Sequence, residues 1–204
     1  MYYHSVAYIR VLHAVPDAPN VDVYANNNII AKNLAFSQYS QYIPIPKGNY
    51  EISLFAAGTK NSPVLTNMLV VNENTIKTIA AVGTLSTIGF LAIFDDMMPI
   101  DPGKSMIRFS HLSPNAPAVD ITLPDGTIIF NNVSYKQLTP YMAVLPMNYT
   151  LQVRLAGTST VVLTIPNINL EPDKFYTVYA IGLVGIKPEL EALLVLDGNI
   201  NTNF

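Results

Sequence analysis

One stretch of this chain is written twice. IRVLHAVPDAPNVDVY runs from Ile9 to Tyr24 and IRFSHLSPNAPAVDIT from Ile107 to Thr122, 98 positions later. Without gaps the two agree at Ile, Arg, His, Pro, Ala, Pro, Val and Asp. The register continues with single-residue slips. NNNIIAKNLAFSQYSQY (26–42) matches PDGTIIFNNVSYKQLTPY (124–141), and GNYEISLFAAGT matches MNYTLQVRLAGT. Further on, LVVNENTIKTIAAVG matches INLEPDKFYTVYAIG, and LAIFDD matches LLVLDG. A repeat of about a hundred residues is too long for a solenoid unit and suits tandem domains. Two prolines and a glycine in MMPIDPGK break regular structure between the copies. The expected division is a first unit at 1–98, a short linker at 99–104 and a second unit at 105–204.

Within each copy the hydrophobic period is two. Tyr50, Ile52, Leu54 and Ala56 alternate with Glu51, Ser53 and Phe55, and the second copy repeats this with Tyr149, Leu151, Val153 and Leu155. Such alternation marks strands with one buried face. TIKTIAAV and FYTVYAI are more continuously apolar and read as central strands. NNN and PDG fall between short apolar runs, where Asp125-Gly126 makes a good hairpin turn. Fifteen prolines and no sustained 3.6-residue period leave little room for helix. The fold expected is all-β: two tandem antiparallel β-sandwich domains, immunoglobulin-like or transthyretin-like, with about seven strands each.

Composition narrows the function. Only 12% of residues are charged, about half the usual share, and the formal net charge is -3. No basic field exists to recruit nucleic acid or anionic lipid. Without cysteine the chain has no disulfide, thiolate metal site or cysteine nucleophile. Nineteen asparagines outnumber fourteen acidic residues, so the polar surface is largely amide, with little charge repulsion against self-association. MYYHSVAYIRV lacks a basic region followed by an apolar one, so it does not read as a secretory signal. The apolar window 78–94 has the length of a membrane span. Its counterpart holds Lys187, Pro188, Glu189 and Glu191, so both are read as two strands and a loop, and no membrane span is expected.

Few residues here offer chemistry. Alternation puts Ile9, Val11 and His13 on one strand face, and Ile107, Phe109 and His111 in the twin. Each histidine is either a buried imidazole bonding the following turn, or a ligand or general base oriented by Asp22 or Asp120. PDAP and PNAP form a stiff corner, because proline fixes its own φ and extends the residue before it. Asp17 or Asn115 is expected to cap that corner with an Asx-type bond. Asp17 and Asp22 lack the D-x-D-x-D-G spacing of a calcium loop. Arg10 and Arg108, two of three arginines, face away from the histidines and suit an acidic partner across the sheet. Tyr42 and Tyr50 recur as Tyr141 and Tyr149, which assigns them to the fold. Tyr39 has Leu138 as its twin and is the tyrosine freer to stack on a sugar. The candidate ligand-binding residues are thus Tyr39, His13, Asp22, His111 and Asp120. No metal site and no cofactor is expected. There is no G-x-S-x-G elbow and no G-x-G-x-x-G, and DPGKS has Met98 where a phosphate loop needs its first glycine.

IRVLHAVPDAPNVDVYANN, IPKGNYEISLFAAGT and TIKTIAAVG together resemble a bacterial and archaeal family, domain of unknown function 4397. Its pattern is close to V-R-x-x-H-A-S-P-D-A-P-x-V-D-V-Y, then a Pro-x-Gly-x-Tyr strand and an Ala-Gly-Thr turn. Both halves match it. The first departs at Val15, the second at Leu112, Asn115 and Thr122. The resemblance implies extracellular or envelope-attached modules, often in tandem, and brings no catalytic residues. The expectation is a non-enzymatic structural or assembly module of a bacterial cell surface or spore coat, partnered by itself or by another envelope or coat component. A spore coat needs no signal peptide, and a cytoplasmic location stays open. The alternative is a glycan- or other ligand-binding adhesion module.

Overall fold

The computed structural model describes residues 6–95 and 98–198. They form two units, the first holding the strands up to Phe94 and the second those from Ser105. Eight strands make the first unit: β1 (Val6–His13), β2 (Val21–Ala25), β3 (Asn28–Leu34), β4 (Ile43–Pro46), β5 (Gly48–Ala56), β6 (Leu65–Val71), β7 (Ile76–Val82) and β8 (Gly89–Phe94). They lie in two four-stranded sheets, ordered β4-β1-β7-β8 and β3-β2-β5-β6. Ile9 and Val11 of β1 meet Val21, Val23, Ile52, Leu54 and Val71 of the other sheet in one core. Burying each such side chain contributes about 1.5–3 kcal/mol, so the core is what holds the two sheets together.

The second unit repeats the plan with β9 (Ser105–His111), β10 (Val119–Thr122), β11 (Ile128–Val133), β12 (Met142–Val144), β13 (Asn148–Leu155), β14 (Val161–Asn169), β15 (Phe175–Ile181) and β16 (Glu191–Asp197). Its sheets run β12-β9-β15-β16 and β11-β10-β13-β14. The all-β tandem sandwich is therefore what the chain forms, with eight strands per unit where the pattern suggested about seven. β4 is hard to see because Pro44 and Pro46 count against a strand by propensity. At a sheet edge their missing N–H groups remove no ladder bond.

One pairing in each unit is parallel: β1 with β7, and β9 with β15. Both β7 and β15 are buried along their whole length, which explains why they are mostly apolar, with Lys77, Thr78 and Thr177 as the polar exceptions. β1 and β2 lie in different sheets, unlike strands A and B of an immunoglobulin domain, which share one. Of the two arrangements expected, the transthyretin-like one remains. The apolar window 78–94 resolves into β7, a turn and β8. Among the described residues no helix is long and apolar enough to cross a membrane.

Candidate functional site

The duplicated motif spans the end of β1, a proline corner and the start of β2. His13 closes β1 with its side chain fully buried. Its Nε2 lies 3.1 Å from the Pro19 carbonyl oxygen, which can only accept, so Nε2 carries the proton. Nδ1 is then free to accept the Val15 N–H at 3.3 Å. Burial holds the His13 pKa below the usual 6.5, with the Pro19 carbonyl acting weakly the other way. His111 does the same at Pro117, 3.0 Å away, and burial lowers its pKa likewise. Its Nδ1 has no hydrogen-bond partner among the described residues. A ring stands edge-on to each imidazole, Phe36 at 6.4 Å and Tyr135 at 6.3 Å. Both histidines sit closed behind the corner, fastening it to the strand that precedes it.

Asp22 and Asp120 lie close by in sequence but do not orient these rings. Asp22 Oδ1 accepts the Asn33 N–H at 2.7 Å, and Oδ2 accepts the Gly58 N–H at 2.9 Å. Asp120 accepts Asn132 N–H at 2.7 Å and Gly157 N–H at 2.8 Å. Asn33 and Asn132 have φ of 50° and 51°, a left-handed bend that aims their N–H groups off the ladder. Each carboxylate thus ties β2 or β10 to a bulge on one neighbour and a turn on the other. The pairs His13–Asp22 and His111–Asp120 form no dyad.

Asp17 does not cap its own corner as expected. Its Oδ1 accepts the Leu85 N–H at 2.9 Å, holding the turn between β7 and β8. Asn115 accepts the Val184 N–H at 2.9 Å and also donates to the Val184 carbonyl at 3.1 Å. The charge is dispensable because the bond needs only an acceptor. Among the described residues no cluster of three His, Cys, Asp or Glu side chains can hold a metal ion.

On the opposite face of β1, Arg10 is buried, only 2% exposed. Its Nε donates to Thr78 Oγ1 at 2.7 Å, and its guanidinium reaches Asp95 Oδ2 at 3.8 Å. Thr78 and Tyr42 also donate their hydroxyls to Asp95, the Tyr42 bond measuring 2.9 Å. The Tyr42 ring lies 4.5 Å from Arg10 Cζ. Arg108, Thr177, Asp197 and Tyr141 form the same group in the second unit, with Nε–Oγ1 at 2.7 Å and N–O at 3.6 Å. The acidic partner of Arg10 and the internal use of Tyr42 were legible in the repeat. Asp95 and Asp197 were signalled only by LAIFDD matching LLVLDG, and Thr78 and Thr177 only by standing as polar residues in apolar strands.

Tyr39 belongs to this second group instead of the corner. Its backbone bridges Leu12, its ring lies 5.6 Å from Arg10 Cζ, and the residue is 38% exposed. Leu138 bridges Ser110 at the equivalent place.

A family model described as domain of unknown function (DUF4397) matches residues 7–122 and 123–203. The sequence matches none of the curated proteins. Among solved structures, the C-terminal domain of AlgF from P. aeruginosa shares 19% identity over 46% of this chain and 98% of its own, with a TM-score of 0.36. CBMbc, a family CBM26 module from Eubacterium rectale Amy13K solved with maltoheptaose, shares 9% over 93% of this chain and 96% of its own, with a TM-score of 0.29. The Bacillus anthracis TIE protein shares 10% over 91% of this chain, which spans 34% of that one, with a TM-score of 0.27.

Proposed function

The chain belongs to the DUF4397 family, and on that premise we propose that it is a non-enzymatic structural module of a bacterial cell surface or spore coat, assembling with itself or with another envelope component. One observation carries this reading. The polar side chains that recur in both copies make the same internal bonds in both: histidine to the corner carbonyl, aspartate to two backbone N–H groups, arginine to threonine and aspartate. Groups so engaged hold a scaffold, and what duplication multiplies is the scaffold. The low charge and amide-rich composition favour close packing of such scaffolds.

Antibody labelling and fractionation of intact cells and spores test the proposal. Label on the envelope or spore surface, in a form that resists extraction as monomer, is the expected result. Recovery as a freely soluble cytosolic monomer at high concentration contradicts it. A second reading, glycan binding at the cell surface, is favoured by Tyr39, whose ring backs on Arg10 and is partly open to solvent. A glycan array on which the wild type gives signal and Tyr39→Ala gives none would favour that reading over assembly.

A further inference from the structure

A β-sandwich exposes two edges per sheet, and each is a row of backbone donors and acceptors that must be protected or used. In the first unit three kinds of edge are visible. β4 carries Pro44 and Pro46. β3 carries Lys32, and its ladder with β2 is irregular, with Asn33 left-handed. On the other side of the sandwich lie β8 and β6, which have neither charge nor proline. β6 is the longer and pairs with β5 through seven residues without interruption. Its outward side chains Met68 and Val70 are 67% and 58% exposed. Between the two edges a cleft of about 110 Å³ is lined by Ile52, Met68, Leu69, Ile79 and Phe90, with Asn67 as its polar side chain.

The second unit shows what protection looks like at the same place. In the register that aligns Leu69 with Ile168 and Val71 with Leu170, Asn67 and Met68 correspond to Pro166 and Asn167. Asn167 has a φ of 61°, and the β13–β14 ladder shifts register between Tyr149 and Leu151. Proline and a bulge blunt β14, whereas β6 lacks both. Two copies of one fold in one chain therefore differ at this edge in the feature that governs strand addition.

We propose that β6 is an assembly edge, pairing antiparallel with β6 of a second copy of this chain. This rests on the assembly reading above and names its partner. The occupant follows from charge and symmetry. A two-fold axis brings every residue of a strand near its own copy or its mirror position, so a charged strand repels itself. LTNMLVV has no charged side chain of its own to repel, and the ammonium at this edge, Lys77 Nζ of β7, is held by the Val70 carbonyl at 3.0 Å. Centred on Met68, the pairing sets Met68 against Met68, Thr66 against Val70 and Leu65 against Val71. It keeps outward residues facing outward, and on the inner face it sets Leu65 against Val71 and Asn67 against Leu69. A two-fold contact is closed, so it yields dimers and not fibres.

Sedimentation of the full chain across a wide concentration range tests this. The expected wild-type result is a monomer–dimer equilibrium that stops at dimer, with β6 amides gaining hydrogen-exchange protection on dimerisation. Met68→Lys sets two ammonium groups against each other at the axis and should weaken dimerisation by roughly tenfold or more. Val161→Lys, on the β14 edge of the second unit, should leave it unchanged. Val70→Lys replaces Met68→Lys if circular dichroism shows the latter unfolded. Wild-type association that survives the β6 lysine, or that protects other strands and not β6, overturns the β6 assignment and leaves the assembly reading standing. A wild type that stays monomeric at every concentration overturns the β6 assignment and leaves the assembly reading only with another envelope component, which the fractionation above tests separately. Dimerisation abolished equally by Val161→Lys also overturns the β6 assignment.

Discussion

Asp22 has two carboxylate oxygens and gives each to a different backbone N–H, one on a left-handed asparagine and one on a turn glycine. No other side chain of this size supplies two acceptors without a donor. An asparagine in its place would turn an amide N–H toward one of those donors and lose the charge that strengthens both bonds. Asp22→Asn should therefore cost about 1–2 kcal/mol of stability and Asp22→Ala about 1–3 kcal/mol, because the first leaves one part-buried N–H without its acceptor and the second leaves two. Urea denaturation measures this, and a loss below about 0.5 kcal/mol would refute the clamp. Asp17 behaves in the opposite way. Its twin Asn115 keeps the bond to the equivalent strand connection, since a single oxygen suffices. Residue type alone placed Asp22 beside His13 as a candidate partner; only the positions of Asn33 and Gly58 show where its oxygens go. Those positions depend on a bulge and a turn remote in sequence.

Among the elements, the strand–corner–strand unit was the most legible, because its prolines and apolar row are local signals. The parallel pairing of β1 with β7 was not legible. It joins segments more than sixty residues apart, and no local period encodes which strands become neighbours. Among the described residues, five of the eight left-handed non-glycine positions are asparagines, so part of the asparagine excess serves turns and bulges as well as surface. The corner also carries a pH dependence. Unfolded, each histidine titrates near 6.5; folded, burial holds it lower. Below 6.5 the unfolded chain binds protons that the folded chain refuses. The stability from keeping these rings neutral is complete above that pH and is lost as pH falls through 6.5 toward the folded values. The slope reaches up to about 1.4 kcal/mol per pH unit for each histidine. Thermal melts between about pH 7.5 and 5 should show this decline, and His13→Gln with His111→Gln should flatten it. An unchanged slope in the double variant would assign the decline to other groups.

Across the whole molecule, duplication separates what the fold requires from what each copy is free to change. Both copies keep the corner bond, the two-oxygen clamp and the buried arginine group. They differ at Tyr39 and Leu138, at Asp17 and Asn115, and along β6 and β14. Breaking the arginine group from one side leaves a buried charge, which costs about 3–5 kcal/mol in comparable pairs, so its retention is explained by folding alone. The histidine of the duplicated motif is a neutral fastener in both units. Site-resolved nitrogen NMR of His13 and His111 across a pH titration, with and without added zinc or calcium, tests it most directly. The expected result is two neutral imidazoles protonated on Nε2 at neutral pH, half-titrating below 6.5 and indifferent to either ion. Half-titration above 6.5, protonation on Nδ1, or a shift on adding metal would contradict it.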